Sequence, residues 1–181
     1  HMIGTDAVYG PSRMVVQNLF SKFGVAYDFV DTSNLKNIEA ALRPNTKLLF
    51  VETPANPTLS LTDISACAEL AGKSGITFIV DNTFASPVLQ KPLELGADIV
   101  YHSVTKFING HSDVVGGIII PKEGAMFTML QKSLQQMGGN MDPHQAWLVL
   151  RGVKTLAGRR EKSQASTLKR PQSLQKQPRV A

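Results

Sequence analysis

Two residues that could take part in chemistry, Asp81 and Lys106, each follow a short apolar run. Asp81 closes the run Phe78-Ile79-Val80, and Lys106 comes soon after Ile99-Val100-Tyr101. Short apolar runs bounded by polar residues are typical of buried strands. Open α/β sheets bind their ligands at the carboxyl ends of the strands. An acid and a lysine in these places therefore predict a ligand site at that edge of a parallel sheet.

The neighbours of Lys106 indicate which ligand. Ser103 and Thr105 flank it, and the polar stretch Asn109-Gly110-His111-Ser112 follows. Hydroxyl groups donate hydrogen bonds to phosphate oxygens, and a lysine that can lose its proton can form a Schiff base with an aldehyde. Pyridoxal phosphate (PLP) carries both groups. By residue type alone a lysine is usually just solvated, so this prediction depends on the hydroxylated neighbours.

Asp81 supplies a second element of the same hypothesis. PLP needs a carboxylate beside its ring nitrogen, because the protonated pyridinium is what withdraws electrons from the substrate. Asp81 is placed to provide one, since it ends its own predicted strand. A helix cap or a turn residue is an equally good interpretation of Asp81-Asn82 when these two residues are considered alone.

Other chemistries find no support in the sequence. It contains no GxGxxG after a strand, no GxxxxGK[ST] and no GxSxG. His102, His111 and His144 lack the spacing of metal ligands and have no cysteine partners, so we predict no metal site.

The elements that must position these residues alternate along the chain. Strand and helix patterns follow one another without a repeat or an internal linker, which predicts an α/β layer fold with a mostly parallel sheet flanked by helices. The predicted strands are 25–30, 47–51, 77–80, 99–101 and 117–120, and the predicted helices are 8–23, 35–42, 63–73, 123–136 and 143–164.

Composition is that of a soluble globular protein. The chain has 181 residues, of which 43% are hydrophobic and 18% charged. No apolar run approaches the roughly 20 residues that a membrane helix needs. Cys67 is the only cysteine, which excludes an intramolecular disulfide and favours a reducing cytoplasm. Its apolar surroundings predict that Cys67 is buried in packing rather than reactive.

The net charge of +5 is concentrated near the end of the chain, between Arg151 and Arg179. A basic run can bind nucleic acid, but this one lacks interleaved aromatic residues and matches no binding motif. A solvated helix face followed by a loose tail is the favoured interpretation. The alternative is a catalytically dead domain that binds protein or nucleic acid through its basic end.

One family resemblance is specific. The segment VDNTFASPVLQKPLELGADIVYHSVTKFINGHSDVVGG resembles the cofactor-binding signature of the Cys/Met-metabolism (trans-sulfuration) family of PLP enzymes. ETPANPT, the pair Tyr9-Gly10 and MDPHQAWLVLRGVKTL fit the same family in the same order. The family includes cystathionine γ-synthase, cystathionine γ- and β-lyases, methionine γ-lyase and O-acylhomoserine sulfhydrylases.

The resemblance implies a role for each matching residue. Lys106 would carry the Schiff base and then move the substrate proton, and Asp81 would pair with the pyridine nitrogen. Ser103 and Thr105 would hold the phosphate. The implied reaction is γ-elimination or γ-replacement on a sulfur amino acid or an O-acylhomoserine, in cysteine and methionine metabolism.

Two further residues gain a role only through the resemblance. Tyr9 would stack on the cofactor ring and assist proton transfer, although the sequence alone favours a core aromatic at a helix start. Asn56 would lie near the phenolic oxygen of the cofactor and the substrate carboxylate, although by itself it is a turn residue.

The resemblance also implies the large domain of the fold-type I, aminotransferase-like enzymes, assembled as homodimers or homotetramers. Because members of the family are much longer, we expect a domain truncated at both ends and of low or no activity. In this interpretation residues 1–2 are an expression scar and 3–181 are a partial PLP-binding domain. Residues 143–181 begin the helix that leads to an absent C-terminal domain, and Pro171 is predicted to interrupt that helix.

Overall fold

The computed structural model describes residues 1–175. The strands of this part of the chain are β1 (Met2–Thr5), β2 (Tyr27–Val30), β3 (Leu48–Glu52), β4 (Thr77–Asp81), β5 (Ile99–Ser103) and β6 (Gly117–Pro121). Its α-helices are α1 (Gly10–Asn18), α2 (Leu35–Ala41), α3 (Ile64–Ser74), α4 (Ser86–Leu89), α5 (Gly124–Met137), α6 (Pro143–Val153) and α7 (Leu156–Leu174).

All six strands form one sheet in the order β2-β1-β3-β4-β5-β6. The first five strands are parallel, and β6 pairs antiparallel with β5. The predicted α/β fold with a mostly parallel, helix-flanked sheet is therefore confirmed.

The sequence analysis missed β1, which lies between β2 and β3 in the sheet. Four residues that include Gly4 give too short a pattern to indicate a strand. All four residues of β1 are nevertheless buried. A Cβ on Gly4 would lie 2.9 Å from the ring of Phe29, so there is no room for a larger side chain unless that ring moves. Met2 belongs to β1, and the His1 ring bonds to Thr46 and Asp28. That residues 1–2 are an expression scar stays a prediction.

The chain divides into two compact units. The first comprises residues 1–103 and 117–140 and contains the sheet. Its core lies on the face of the sheet formed by the odd residues of β3 and the even residues of β4. Fully buried Leu49 and Phe78 pack there with Ile38 of α2 and Cys67 of α3.

Two helix starts in the first unit are capped by side chains. The Asn34 side chain accepts a hydrogen bond from the Lys36 N–H, and Asp63 accepts one from the Ala66 N–H. The predicted helix 8–23 is in part wrong. It is divided into α1 and a 3₁₀ turn at Phe20–Phe23, so its apolar period is not continuous.

Of the described residues, the second unit comprises 104–116 and 141–175. The single predicted helix 143–164 is two helices, α6 and α7, because a turn at Lys154 and Thr155 interrupts it. The prediction that Pro171 interrupts the helix is wrong, since α7 continues to Leu174. Pro171 has no N–H to donate to the preceding turn, yet the helix runs through it. Residues 176–181 of the predicted segment 143–181 lie outside the described residues.

Candidate active site

The carboxyl edge of the sheet in the first unit carries polar residues at four strand ends. These are Thr5 of β1, Glu52 of β3, Asp81 of β4 and Ser103 of β5. Parallel strands bring their carboxyl ends to one edge, so the side chains of neighbouring strands meet there. Two of the four, Asp81 and Ser103, are residues that the sequence analysis predicted.

Asp81 is a buried carboxylate, only 6% exposed. Its Oδ1 accepts hydrogen bonds from the Thr83 N–H at 2.9 Å and from the Thr83 hydroxyl at 2.5 Å. Within residues 1–175 its Oδ2 receives no hydrogen bond. Burial raises the pKa of Asp81, and the two bonds from Thr83 oppose that rise. One oxygen is thus held in place while the other stays available to a ligand.

Thr83 connects Asp81 to the next strand. Its hydroxyl donates to Asp81 and accepts a hydrogen bond from the Ser103 N–H at 2.8 Å. The donor and acceptor functions of one hydroxyl are thereby both used. The sequence analysis did not single out Thr83, although Asp-x-Thr after a strand is a local signal for a side-chain hydrogen bond.

Glu52 connects the other two predicted residues of the first unit. Its Oε2 accepts from the Tyr9 N–H at 2.8 Å, and its Oε1 accepts from the Asn56 N–H at 2.9 Å. The side chain is 5% exposed, and burial raises its pKa. Tyr9 is the residue before α1, and its side chain is 46% exposed. The structure thus places Tyr9 and Asn56 on one carboxylate that the sequence analysis missed.

A second tyrosine, Tyr101, belongs to this edge and was also missed. It is paired in register with Asp81. Burial raises the pKa of its phenol, and the negative charge of Asp81 raises it further. Its place inside an apolar run gave no sequence signal, since an aromatic residue is ordinary in a buried strand.

Lys106 and Thr105 belong to the second unit. Lys106 is in the turn that follows Val104, its side chain is exposed, and its carbonyl accepts from the Gly110 N–H at 2.8 Å. The Thr105 hydroxyl accepts from the Gly116 N–H at 3.0 Å and donates to the Gly116 carbonyl at 3.2 Å. Thr105 therefore closes the loop 105–116 upon itself.

The comparison with protein families decides the relationship. The model of the family described as "Cys/Met metabolism PLP-dependent enzyme" matches residues 1–181. The chain belongs to this family. The resemblance found in the sequence is confirmed, and so is PLP as the cofactor of an enzymatic family.

Individual members of the family show the same likeness. Cystathionine gamma-lyase of Bacillus subtilis (strain 168) is 43% identical over 180 residues, which cover 99% of this chain and 48% of that protein. L-methionine gamma-lyase of Porphyromonas gingivalis is 41% identical over 182 residues, covering 99% of this chain and 46% of that protein. The chain thus spans about half the length of the curated relatives it matches.

A solved member of the family has the same fold. The crystal structure of cystathionine gamma-lyase from Lactobacillus plantarum, complexed with L-serine, matches with a TM-score of 0.96 at 40% identity. The match covers 98% of this chain and 47% of that one. The fold-type expectation for the sheet and its helices is therefore confirmed.

The residues at the sheet edge fit the family's cofactor. A pyridinium nitrogen needs a carboxylate, and Oδ2 of buried Asp81 is an acceptor without a hydrogen bond from residues 1–175. The Thr83 bonds orient that carboxylate from its other oxygen. The remaining predicted residues are each located by the structure, but their contacts with a cofactor stay predictions.

The described residues show neither a metal site nor a membrane-spanning helix. Among residues 1–175 no group of His, Cys, Asp and Glu is arranged to hold a metal ion. None of the helices described is both long and apolar enough to cross a membrane.

Proposed function

We propose that this chain is the cofactor-binding part of a trans-sulfuration enzyme of the cystathionine γ-synthase or γ-lyase type. The reaction is γ-elimination or γ-replacement on a sulfur amino acid or an O-acylhomoserine. The observation that carries the proposal is Asp81, a buried carboxylate with one oxygen fixed by Thr83 and the other without a hydrogen bond from residues 1–175. Keeping a charge in such a place costs stability, and cofactor binding accounts for that cost.

Each predicted residue has one task in this proposal. The Asp81 carboxylate would hold the pyridine nitrogen, and the Lys106 amine would hold the cofactor at its aldehyde group and move the α-proton of the substrate. The Ser103 hydroxyl donates to the phosphate, and the Thr105 hydroxyl does so in place of its 3.2 Å bond to the Gly116 carbonyl. When bound, the cofactor supplies an electron sink for negative charge on the substrate carbon.

Tyr9 and Asn56 complete the set. The Tyr9 ring stacks on the cofactor and assists proton transfer at the substrate. The Asn56 amide lies beside the phenolic oxygen of the cofactor and the substrate carboxylate. Their common attachment to Glu52 supports the assignment, because it keeps two residues from distant parts of the chain together.

The proposed activity of this chain alone is low or absent. The chain spans 48% of the B. subtilis relative, which supports this part of the proposal. We propose self-association as well, into the homodimers or homotetramers expected from the resemblance. The exposed apolar side chains of Ile118 and Ile119 on β6, and of Phe127 on α5, support self-association.

A cytoplasmic location is supported by the single cysteine, Cys67, which is a buried free thiol.

Covalent trapping tests the proposal. The purified chain is incubated with PLP, reduced with borohydride, digested and analysed by mass spectrometry. We expect the phosphopyridoxyl group on Lys106, no labelling at that site in Lys106→Ala, and normal labelling of Lys106 in the control variant Lys132→Ala, which alters an exposed lysine of α5. Labelling spread evenly over surface lysines, or none at all, contradicts the assignment.

Turnover and nucleic-acid binding are measured on the same preparation. Efficient turnover of cystathionine or an O-acylhomoserine contradicts the low activity proposed for this chain.

The second candidate function, binding of protein or nucleic acid through the basic end, is favoured by one observation. An open groove of about 770 Å³ along α7 is lined by the cations Lys154, Arg159, Lys162 and Arg170. Salt-dependent binding of nucleic acid without trapping on Lys106 supports that alternative.

A further inference from the structure

We propose that Glu52 is a positioning residue of the cofactor site, whose carboxylate fixes the Tyr9 and Asn56 backbones at the sheet edge. The proposal rests on the proposed function, in which Tyr9 and Asn56 contact the cofactor. Glu52 itself acts through these two residues.

The geometry is a two-pronged clamp. Glu52 ends β3, and each of its carboxylate oxygens accepts one backbone hydrogen bond, from Tyr9 at 2.8 Å and from Asn56 at 2.9 Å. Tyr9 is 43 residues away along the chain. Asn56 lies four residues on, in the turn that follows β3. One side chain therefore joins the segment that enters α1 to the turn after β3.

The clamp needs a carboxylate. An ionised carboxylate accepts hydrogen bonds with both oxygens, whereas a glutamine presents an NH₂ group in place of one of them. An NH₂ group cannot accept from either backbone N–H, and a buried donor left without an acceptor is costly. Glu52→Gln therefore keeps the size of the side chain and removes one of the two hydrogen bonds.

The position of Glu52 is itself fixed. Its backbone N–H donates to the Thr5 hydroxyl at 3.2 Å, and the residue is paired in register with Asp81 on β4. The clamp is thus built on β3, which is adjacent to the strand that carries the carboxylate proposed to hold the pyridine nitrogen. Movement of Tyr9 or Asn56 relative to Asp81 is restricted by a rigid sheet rather than by a loop.

The clamp leaves the functional groups available. Glu52 binds the backbone N–H groups of Tyr9 and Asn56, so the phenol and the side-chain amide are not used. The Tyr9 side chain remains 46% exposed. A clamp that held the side chains themselves would remove them from the cofactor.

The test combines amide hydrogen exchange with cofactor affinity. In Glu52→Gln we expect the exchange of the Tyr9 or Asn56 amide to accelerate at least about tenfold, as loss of a hydrogen bond to a charged group predicts. The PLP dissociation constant, measured by absorbance titration, is expected to rise by about tenfold. Exchange in the sheet core, at Leu49 and Val80, is expected to stay as in the wild type. Glu39→Gln, at an exposed position of α2, is the matched control.

Each contrary outcome overturns a distinct statement. Unchanged exchange at both Tyr9 and Asn56 overturns the clamp. Faster exchange with an unchanged PLP dissociation constant overturns the positioning role and leaves Glu52 a purely structural residue. Wild-type protein that does not bind PLP contradicts the proposed function and with it this role, whereas exchange at Tyr9 and Asn56 still reports the clamp. If Glu52→Ala does not fold, the isosteric Gln variant carries the test.

Discussion

Glu52 and Asp81 are paired in register as the last residues of two adjacent parallel strands. Paired residues of neighbouring strands point to the same face, so two buried carboxylates share one edge of the sheet. Burial raises the pKa of both, and the negative charge of Asp81 contributes to the rise at Glu52. Two buried acids, one of which disfavours the charge of the other, are typical of a functional site rather than of a stabilising core.

Asp81→Asn is expected to stabilise the cofactor-free protein at neutral pH. The folded-state pKa of Asp81 is raised above the ordinary value of 3.8, so the folded protein holds the proton more tightly than the unfolded chain. The stability that protonation provides is complete below pH 3.8 and is lost as pH rises through the raised pKa. The asparagine keeps the acceptor for Thr83 without the charge. Urea unfolding at pH 7 measures the effect.

The same variant is expected to bind PLP more weakly, because a neutral amide cannot pair with a pyridinium. Glu39→Gln, at an exposed site, serves as the control for both measurements. An Asp81→Asn protein that is less stable than the wild type at pH 7 contradicts the expected cost of the buried charge.

Thr83→Val is expected to lower the free energy of unfolding by about 1–3 kcal/mol, because the Ser103 N–H and the Asp81 carboxylate both lose a partner. Thr83→Ser retains the hydroxyl and is expected to lose much less. Thr128→Val, which alters an exposed threonine of α5, should stay within about 0.5 kcal/mol of the wild type. Urea unfolding of the three variants measures these changes. Equal losses of unfolding free energy in Thr83→Val and Thr128→Val would show that the hydrogen bonds of the Thr83 hydroxyl contribute nothing.

Gly152→Ala is expected to destabilise the second unit. A Cβ at Gly152 of α6 would clash with the Asn109 carbonyl oxygen, a backbone atom that cannot move aside cheaply. We expect a loss of about 1–3 kcal/mol. At Gly158 of α7 a Cβ meets nothing within 4 Å, so Gly158→Ala should gain about 0.5–1 kcal/mol through helix propensity. Thermal unfolding of both variants gives the comparison, and effects of the same sign contradict it.

Cys67 is expected to be inert in the folded protein. Burial, with a smaller contribution from the charge of Asp63, raises the pKa of its thiol to about 12, and the thiolate is the reactive form. A chromogenic thiol reagent at pH 8 should react slowly with the native protein and with one thiol per chain in denaturant. Rapid stoichiometric reaction of native protein at the same pH would contradict the burial of Cys67 between α3 and the sheet.

Much of the fold could be predicted from local patterns. The apolar runs 47–51 and 77–80 indicated buried strands, and the predicted helices 35–42 and 63–73 correspond to α2 and α3, because these signals depend on a few consecutive residues. β1 could not be predicted in the same way. Its four residues form a strand because β2 and β3 pair with them on either side.

The sequence indicated candidate site residues only where the type and neighbours of one residue suggest its chemistry. Asp81 and Lys106 stood out by type, place and neighbours, and the family motif added Tyr9 and Asn56. Glu52 and Thr83 did not stand out, because a glutamate or threonine at a strand end has no local feature that shows its partner. Their hydrogen bonds depend on which groups of other segments lie beside them.

The sequence by itself determined the alternation of strands and helices, the burial of Cys67 and membership of a PLP-dependent family, because each follows from residue types at short spacing or from a motif. Only the tertiary structure decided that Tyr9 and Asn56 share Glu52, and that Thr83 joins Asp81 to Ser103. These contacts unite residues of different strands and loops. The order of the strands, which brings Glu52 beside Asp81, is set by packing across the whole sheet and not by any one segment.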